Sequence, residues 1–222
     1  MNSPLRVPLN TSPEQAERLQ ALQKAFADVC NAIAPVAQQT RCWNRVGLHH
    51  LVYRSMRERF PQVGSQMVCN AIYSVSRTCR LVFQHPNSPL NIARHPGVPL
   101  PLLVFQANAP VYFDRHTLSL KDGVLSMFTL DGRMRFQLAL QPADEARFHR
   151  EKLREIVLSN SAQGYQLVFS LSPEEEAEVE ALPADAAAEF PEYLIVTPGI
   201  ESTAAPVGLP PRAAIASGQA AL

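Results

Sequence analysis

From Ser12 onward, apolar side chains recur every three or four residues: Leu19, Leu22, Phe26, Val29 and Ile33. That spacing lines them along one face of a helix. Ser12-Pro13-Glu14-Gln15 supplies its start, with Ser12 as cap, Pro13 at the first helical position and Gln15 closing a capping box. Pro35 is expected to end it, because proline cannot donate the helical hydrogen bond. A second helix is predicted over 44–59, with Val46, Leu48, Leu51, Val52 and Met56 facing inward and Pro61 beyond its end. A third is predicted over 65–83, striped by Val68, Ile72, Val75 and Val82. Together they predict a small antiparallel helical bundle. Ahead of them, Leu5 to Leu9 reads as a short strand whose prolines suit an edge.

After His85 the pattern changes. Pro86, Pro89, Pro96, Gly97, Pro99 and Pro101 exclude a continuous helix, so a linker is expected there. Runs rich in β-branched and aromatic residues follow at 102–106, 111–113, 117–120, 124–129 and 134–140. Lys121-Asp122-Gly123 and Leu130-Asp131-Gly132 punctuate them as tight hairpin turns. Phe148 to Ile156 suggests a short helix and Tyr165 to Leu171 a further strand. The reading is an α+β fold: a small antiparallel β-barrel or curled sheet from 1–10 and 98–172, with a helical insertion and linker over 11–97. From Ser172 onward Glu, Ala and Pro dominate, and 173–222 is expected to be a disordered acidic tail.

Charge sharpens this division. The formal net charge is zero, yet residues 1–154 hold 19 Lys and Arg against 10 Asp and Glu, and residues 155–222 hold one against 10. A basic body with an acidic tail suits a polyanion partner. Between Arg41 and Arg80 lie Arg41, Arg45, Arg54, Arg57, Arg59, Arg77 and Arg80, with Glu58 the only acid. Arginine forks onto phosphate and stacks on bases, so these residues, with Arg115, Arg133 and Arg135, are candidate RNA contacts. Trp43 and Tyr53, interleaved among them, are candidate stacking platforms, although Trp43 and Tyr73 each suit a core position better than an exposed stacking one. A solvated basic face neutralised by the tail is the plainer alternative.

Little points to catalysis. GxGxxG, P-loop, GxSxG and HExxH motifs are absent. His49 and His50 are adjacent and diverge by about 100° on a helix, a poor chelating pair. Glu174, Glu175, Glu176, Glu178 and Glu180 form a like-charged run of the kind that is solvated. Cys30, Cys42, Cys69 and Cys79 form no CxxC pair and read as free thiols in a reducing compartment. No signal peptide or membrane-length apolar run is evident, so a soluble cytoplasmic protein without metal or cofactor is expected.

Several segments, in order, carry a family likeness. They are Leu9-Asn10-Thr11-Ser12-Pro13-Glu14-Gln15, Leu48 to Phe60, Gly64-Ser65-Gln66, Asn70-Ala71-Ile72, Phe128 to Arg133 and Tyr165-Gln166-Leu167. Across residues 5 to 172 the chain resembles the N-terminal half of transposon-encoded TnpB proteins and the related Cas12 effectors of CRISPR systems. The resemblance implies a wedge-like barrel with an inserted helical recognition lobe, which together hold a guide RNA scaffold and read a short motif in flanking DNA. It places Ser65, Gln66 and Cys69 on the helix facing that motif, and Gln106 and Asn108 on the wedge loop opposite. Asn and Gln amides can bond bidentately to adenine.

The chain departs from that family where cleavage would need it. Ile195-Val196-Thr197-Pro198-Gly199-Ile200 looks like the first nuclease motif, with Thr197 in place of the metal-binding aspartate. A neutral hydroxyl cannot supply that anionic ligand. Only 22 residues follow Ile200, too few for the rest of the nuclease domain. The expectation is a nuclease-incompetent, guide-RNA-dependent DNA-binding protein whose partners are structured guide RNA, a double-stranded DNA target and further effector subunits, but no membrane. A protein–protein adaptor built on the basic helices and acidic tail is the alternative.

Overall fold

The computed structural model describes residues 4–172 and 190–197. Strand β1 (Leu5–Pro8) leads into helix α1 (Pro13–Thr40) through the expected capping box. Gln15 N–H donates to Ser12 Oγ at 3.2 Å, and Ser12 N–H donates to Gln15 Oε1 at 2.9 Å. The expected stop at Pro35 does not occur. The helix runs on to Thr40 and closes on Arg41 in a left-handed conformation, φ 50°. Proline leaves the Asn31 carbonyl without its helical donor, but Ile33, Ala34 and Ala37 are buried around it, and that packing carries the helix through.

Helix α2 (Arg45–Arg59) starts where Asn44 Oδ1 accepts from Val46 and Gly47 N–H, each at 3.0 Å. Its inner face is narrower than the sequence suggests. Leu48, Val52 and Met56 are buried, whereas Val46 and Leu51 remain 64% and 49% exposed. Helix α3 (Ser65–Phe83) is the most enclosed, packing against both other helices and against strand β3 (Val111–Phe113). The proline-rich stretch after it is an ordered cap rather than a plain linker. Ser88 Oγ donates to Val82 O, Ile92 N–H to Phe83 O at 2.9 Å, and Asn91 Nδ2 to Gln84 O at 3.1 Å. These bonds satisfy carbonyls that the helix end leaves open.

The other strands are β2 (Leu102–Phe105), β4 (Leu118–Lys121), β5 (Val124–Thr129), β6 (Gly132–Gln137), β7 (Lys152–Ser161), β8 (Gly164–Ser172) and β9 (Leu194–Thr197). All pairings are antiparallel, so the fold is mixed α and β as expected. Among the described residues the ladders do not close into one barrel but form three sheets, ordered β1-β8-β7-β3, β2-β9 and β4-β5-β6. Because β1 pairs with β8, the chain leaves this sheet, forms the helices and returns to it. Helices and sheets share one apolar core, running from Leu22, Phe26 and Ile72 to Leu125, Ile156 and Phe169.

The region 142–161 departs most from expectation. The helix there is α4 (Pro142–Arg150), and residues 152–156 belong to β7 instead. Leu153, Ile156 and Val157 mimic helical spacing because a register shift between Leu153 and Glu155 breaks the alternation of the strand.

Side-chain amides of α1 fasten β2. Asn31 clasps Phe105 like a neighbouring strand, accepting its N–H at 2.7 Å and donating to its carbonyl at 2.9 Å. Gln23 Nε2 donates to Asn108 O at 3.1 Å, and Gln38 Nε2 donates to Leu100 O. Residues 23, 31 and 38 recur about every two turns, so one helix face serves as the missing partner for that edge.

Candidate nucleic-acid interface

Two surfaces gather the basic residues. The first is a cleft of about 350 Å³ between the starts of α2 and α3, the loop after β3 and the start of β7. Arg45, Arg115, His116 and Arg154 line it together with Gln66, Asp114 and Glu155. Both acids are engaged within the protein. Asp114 Oδ1 accepts from the N–H groups of His116 and Thr117, each at 2.9 Å, an arrangement that builds the turn between β3 and β4. Its Oδ2 accepts from Gln66 Nε2. Glu155 meets Arg77 Nε at 2.9 Å and accepts from the Tyr73 hydroxyl. Above that hydroxyl network the Arg45 guanidinium lies 5.2 Å from the Tyr73 ring centre. Burial pushes the phenols of Tyr112 and Tyr193 up, against the lowering pull of Arg77, so both stay neutral beside the ion pair.

The second surface is the outward face of the β4-β5-β6 sheet. Strict alternation buries Leu118, Leu120, Leu125, Met127, Met134 and Phe136 on the inner side. The outward side presents Lys121, Arg133 and Arg135 and, at the strand positions, no Asp or Glu. Phe128 lies there 40% exposed, with the Arg133 guanidinium 4.1 Å from its ring centre. The acid at the hairpin tip, Asp131, is met by Arg18 from α1 at 3.7 Å. The turn at Asp122-Gly123 has both residues at positive φ, 52° and 73°, which matches the twist of paired strands.

The predicted contacts divide accordingly. Arg41 and Arg45 are exposed at the α1–α2 junction, and Arg54 is exposed but pairs with Glu58 at 3.1 Å. Arg57 donates to the Val63 carbonyl. Arg77 and Arg80 are half-buried, and Arg77 is held by Glu155, so α3 is less a basic face than its sequence suggests. Arg115 stacks 4.6 Å over Phe148 and donates to its carbonyl at 2.7 Å. Trp43 is no stacking platform: it is 6% exposed, packed 5.3 Å from Phe83 in the core. Tyr53 is half-buried, one ring face stacked on His49 at 4.6 Å.

Of the residues expected to read DNA, Ser65 is exposed at the start of α3, Gln66 is bound to Asp114, and partial burial pushes the Cys69 thiol up. Gln106 lies elsewhere, its amide donating to Glu192 O at 2.6 Å, and Asn108 is exposed beside Gln23. Of these five residues, only Gln66 lines the cleft described above. Thr197 ends β9, and its hydroxyl donates to Leu102 O at 3.2 Å. Pro198-Gly199-Ile200 and the glutamate run at 174–180 lie outside the described residues. Sequence reasoning missed Asp114 and Glu155, and gave Phe128 no role of its own. Only Asp114 had a local signal, the Asp-x-x-Thr spacing of a side-chain-bonded turn.

Among the described residues, no group of three or more His, Cys, Asp or Glu gathers that could hold a metal ion, and no helix is long and apolar enough to cross a membrane. No protein-family model matches the chain, and no curated protein matches it significantly.

Proposed function

We propose that this protein binds structured RNA and, guided by that RNA, holds a double-stranded DNA target without cutting it, acting as a repressor or as one subunit of a larger effector. The observation that carries this reading is the basic outer face of β4-β5-β6, where Lys121, Arg133 and Arg135 stand with no acid at the outward strand positions. The cleft supports it, since Asp114 and Glu155 are tied to internal donors while Arg45 stands exposed at its edge. A small curled β-domain gripping RNA, with the helices beside it, is the arrangement the family resemblance implies. Sequence recognition would then rest on base pairing, with the protein holding RNA backbone. Under the same resemblance, Thr197 stands where that family has its metal-binding aspartate, which favours binding without cleavage.

Phosphate contacts release counterions, so affinity for a structured RNA should fall steeply as salt rises. Fluorescence anisotropy across a salt series tests this, and weak binding that stays flat from low to high salt overturns it. Incubation with guide, target and Mg²⁺ should leave the DNA intact. A second reading, a protein–protein adaptor, draws on one observation: Val46 and Leu51 stand exposed on α2. An adaptor would hold its partner with the acidic tail as well as this α2 face, so deleting 173–222 weakens partner binding, whereas an RNA binder relieved of acidic residues binds RNA more tightly.

A further inference from the structure

Arg133 on the outer sheet face is not a loose surface cation. Phe128 and Arg133 are direct cross-strand partners, so the register of β5 and β6 itself brings them together. The guanidinium lies 4.1 Å from the ring centre, and its Nη1 donates to Ser126 Oγ at 3.2 Å and approaches Ser126 O at 3.4 Å. Ring beneath and serine beside it hold an exposed arginine against the sheet. A planar, weakly hydrated cation in that position is a surface on which another flat, polarisable ring can stack.

Its surroundings favour a polyanion that carries such rings. Arg135 projects from the same face two residues along, about 7 Å away at strand spacing. Arg135 is exposed, and Lys121 extends the positive charge across the sheet. At the hairpin end beside Arg133, Arg18 faces Asp131 at 3.7 Å and donates to Thr129 Oγ1 at 3.1 Å, so the acid at that tip already has a cation beside it.

We propose that Phe128 and Arg133 form a stacking plane for an unpaired base of an RNA strand, with Arg135 holding an adjoining phosphate. This rests on the RNA-binding reading above and sharpens it: Arg133 acts through its plane as well as its charge, and the site prefers single-stranded segments to helical ones. Bases inside a duplex are already stacked on one another, and a helix would offer this face only phosphate and sugar.

The test is anisotropy with the full chain, using a short labelled oligouridine and a blunt RNA hairpin. Arg133→Lys keeps the charge and removes the plane. It should weaken oligouridine binding roughly tenfold while leaving the salt dependence and the hairpin affinity as in the parent. Phe128→Leu, which removes the supporting ring, should act in the same direction, and far-UV circular dichroism verifies that both variants fold. If Arg133→Lys binds oligouridine as well as the parent, or loses the hairpin equally, the stacking site is refuted while RNA binding stands. A parent protein that binds the hairpin but not oligouridine refutes the stacking site in the same way. Binding of neither RNA removes both readings together.

Discussion

Arg77 and Arg80 on α3, and Arg133 and Arg135 on β6, are both close pairs of arginines that look alike in the sequence. Their settings are opposite. Arg77 is held by Glu155 beneath the hydroxyl of Tyr73, with about a quarter of its side chain exposed. Arg133 and Arg135 alternate with the buried Met134 and Phe136 and stand in solvent. On α3 burial extends nearly all round the helix, so even its polar positions are drawn toward the sheet. On β6 the period of two sorts charge from core cleanly. A count of arginines is thus a poor measure of a binding surface; the periodicity that carries each one outward or inward decides its role.

Glu155→Ala puts this contrast under the greatest strain. It strands a partly buried guanidinium, and loss of one member of such a pair costs about 3–5 kcal/mol. Urea denaturation should show a large drop in midpoint, whereas Arg133→Ala should stay within about 0.5 kcal/mol of the parent. Replacing Arg77 by Met and Glu155 by Leu together should recover most of the loss. Equal stability of the two single variants would show that α3 and β6 hold their arginines alike.

A smaller effect is expected at the amide clasp. Asn31→Ala removes both bonds to Phe105 and leaves its backbone groups partnerless on that side, a cost of about 2 kcal/mol. Faster hydrogen exchange at Phe105 should accompany it; unchanged exchange would mean that α1 does not hold that edge. Smaller again is Arg135→Gln, which should leave stability alone and reduce the slope of log affinity against log salt by about one. An unchanged slope would remove Arg135 from the phosphate contacts.

Thiol labelling, the mildest perturbation, maps the enclosed side of the contrast. Burial pushes the Cys79 thiol up to about 12 and raises that of fully enclosed Cys30 as well. A raised pKa means less thiolate at a given pH, so near pH 8 both should resist alkylation until the protein unfolds. Cys42, partly exposed, should react first, with Cys69 slower because partial burial raises its pKa too. Rapid labelling of Cys79 in folded protein would contradict the packing of α3.

Most helices were legible because their signals are local. Ser12, Asn44 and the apolar stripes determine where α1, α2 and α3 begin, and Gly123 and Gly132 mark two hairpin turns. What escaped depended on distant partners. Packing of Ile33, Ala34 and Ala37 overrides Pro35, and the shift at Leu153–Glu155 hides β7 among helical spacings. Nor could spacing reveal that Glu155 would meet Tyr73 and Arg77, or that Phe83 would be the ring against which Trp43 packs. On the outer sheet face, the alternation of Arg133 and Arg135 with Met134 and Phe136 is a local signal of where they point. Their joining with Phe128 needed the β5–β6 register.

Whether this basic body holds a particular RNA is decided by expressing the chain with its native flanking DNA, purifying it, and sequencing whatever nucleic acid comes with it. One discrete structured RNA should be retained at low salt and released as salt rises. Protein free of nucleic acid under those conditions would contradict the RNA-binding proposal.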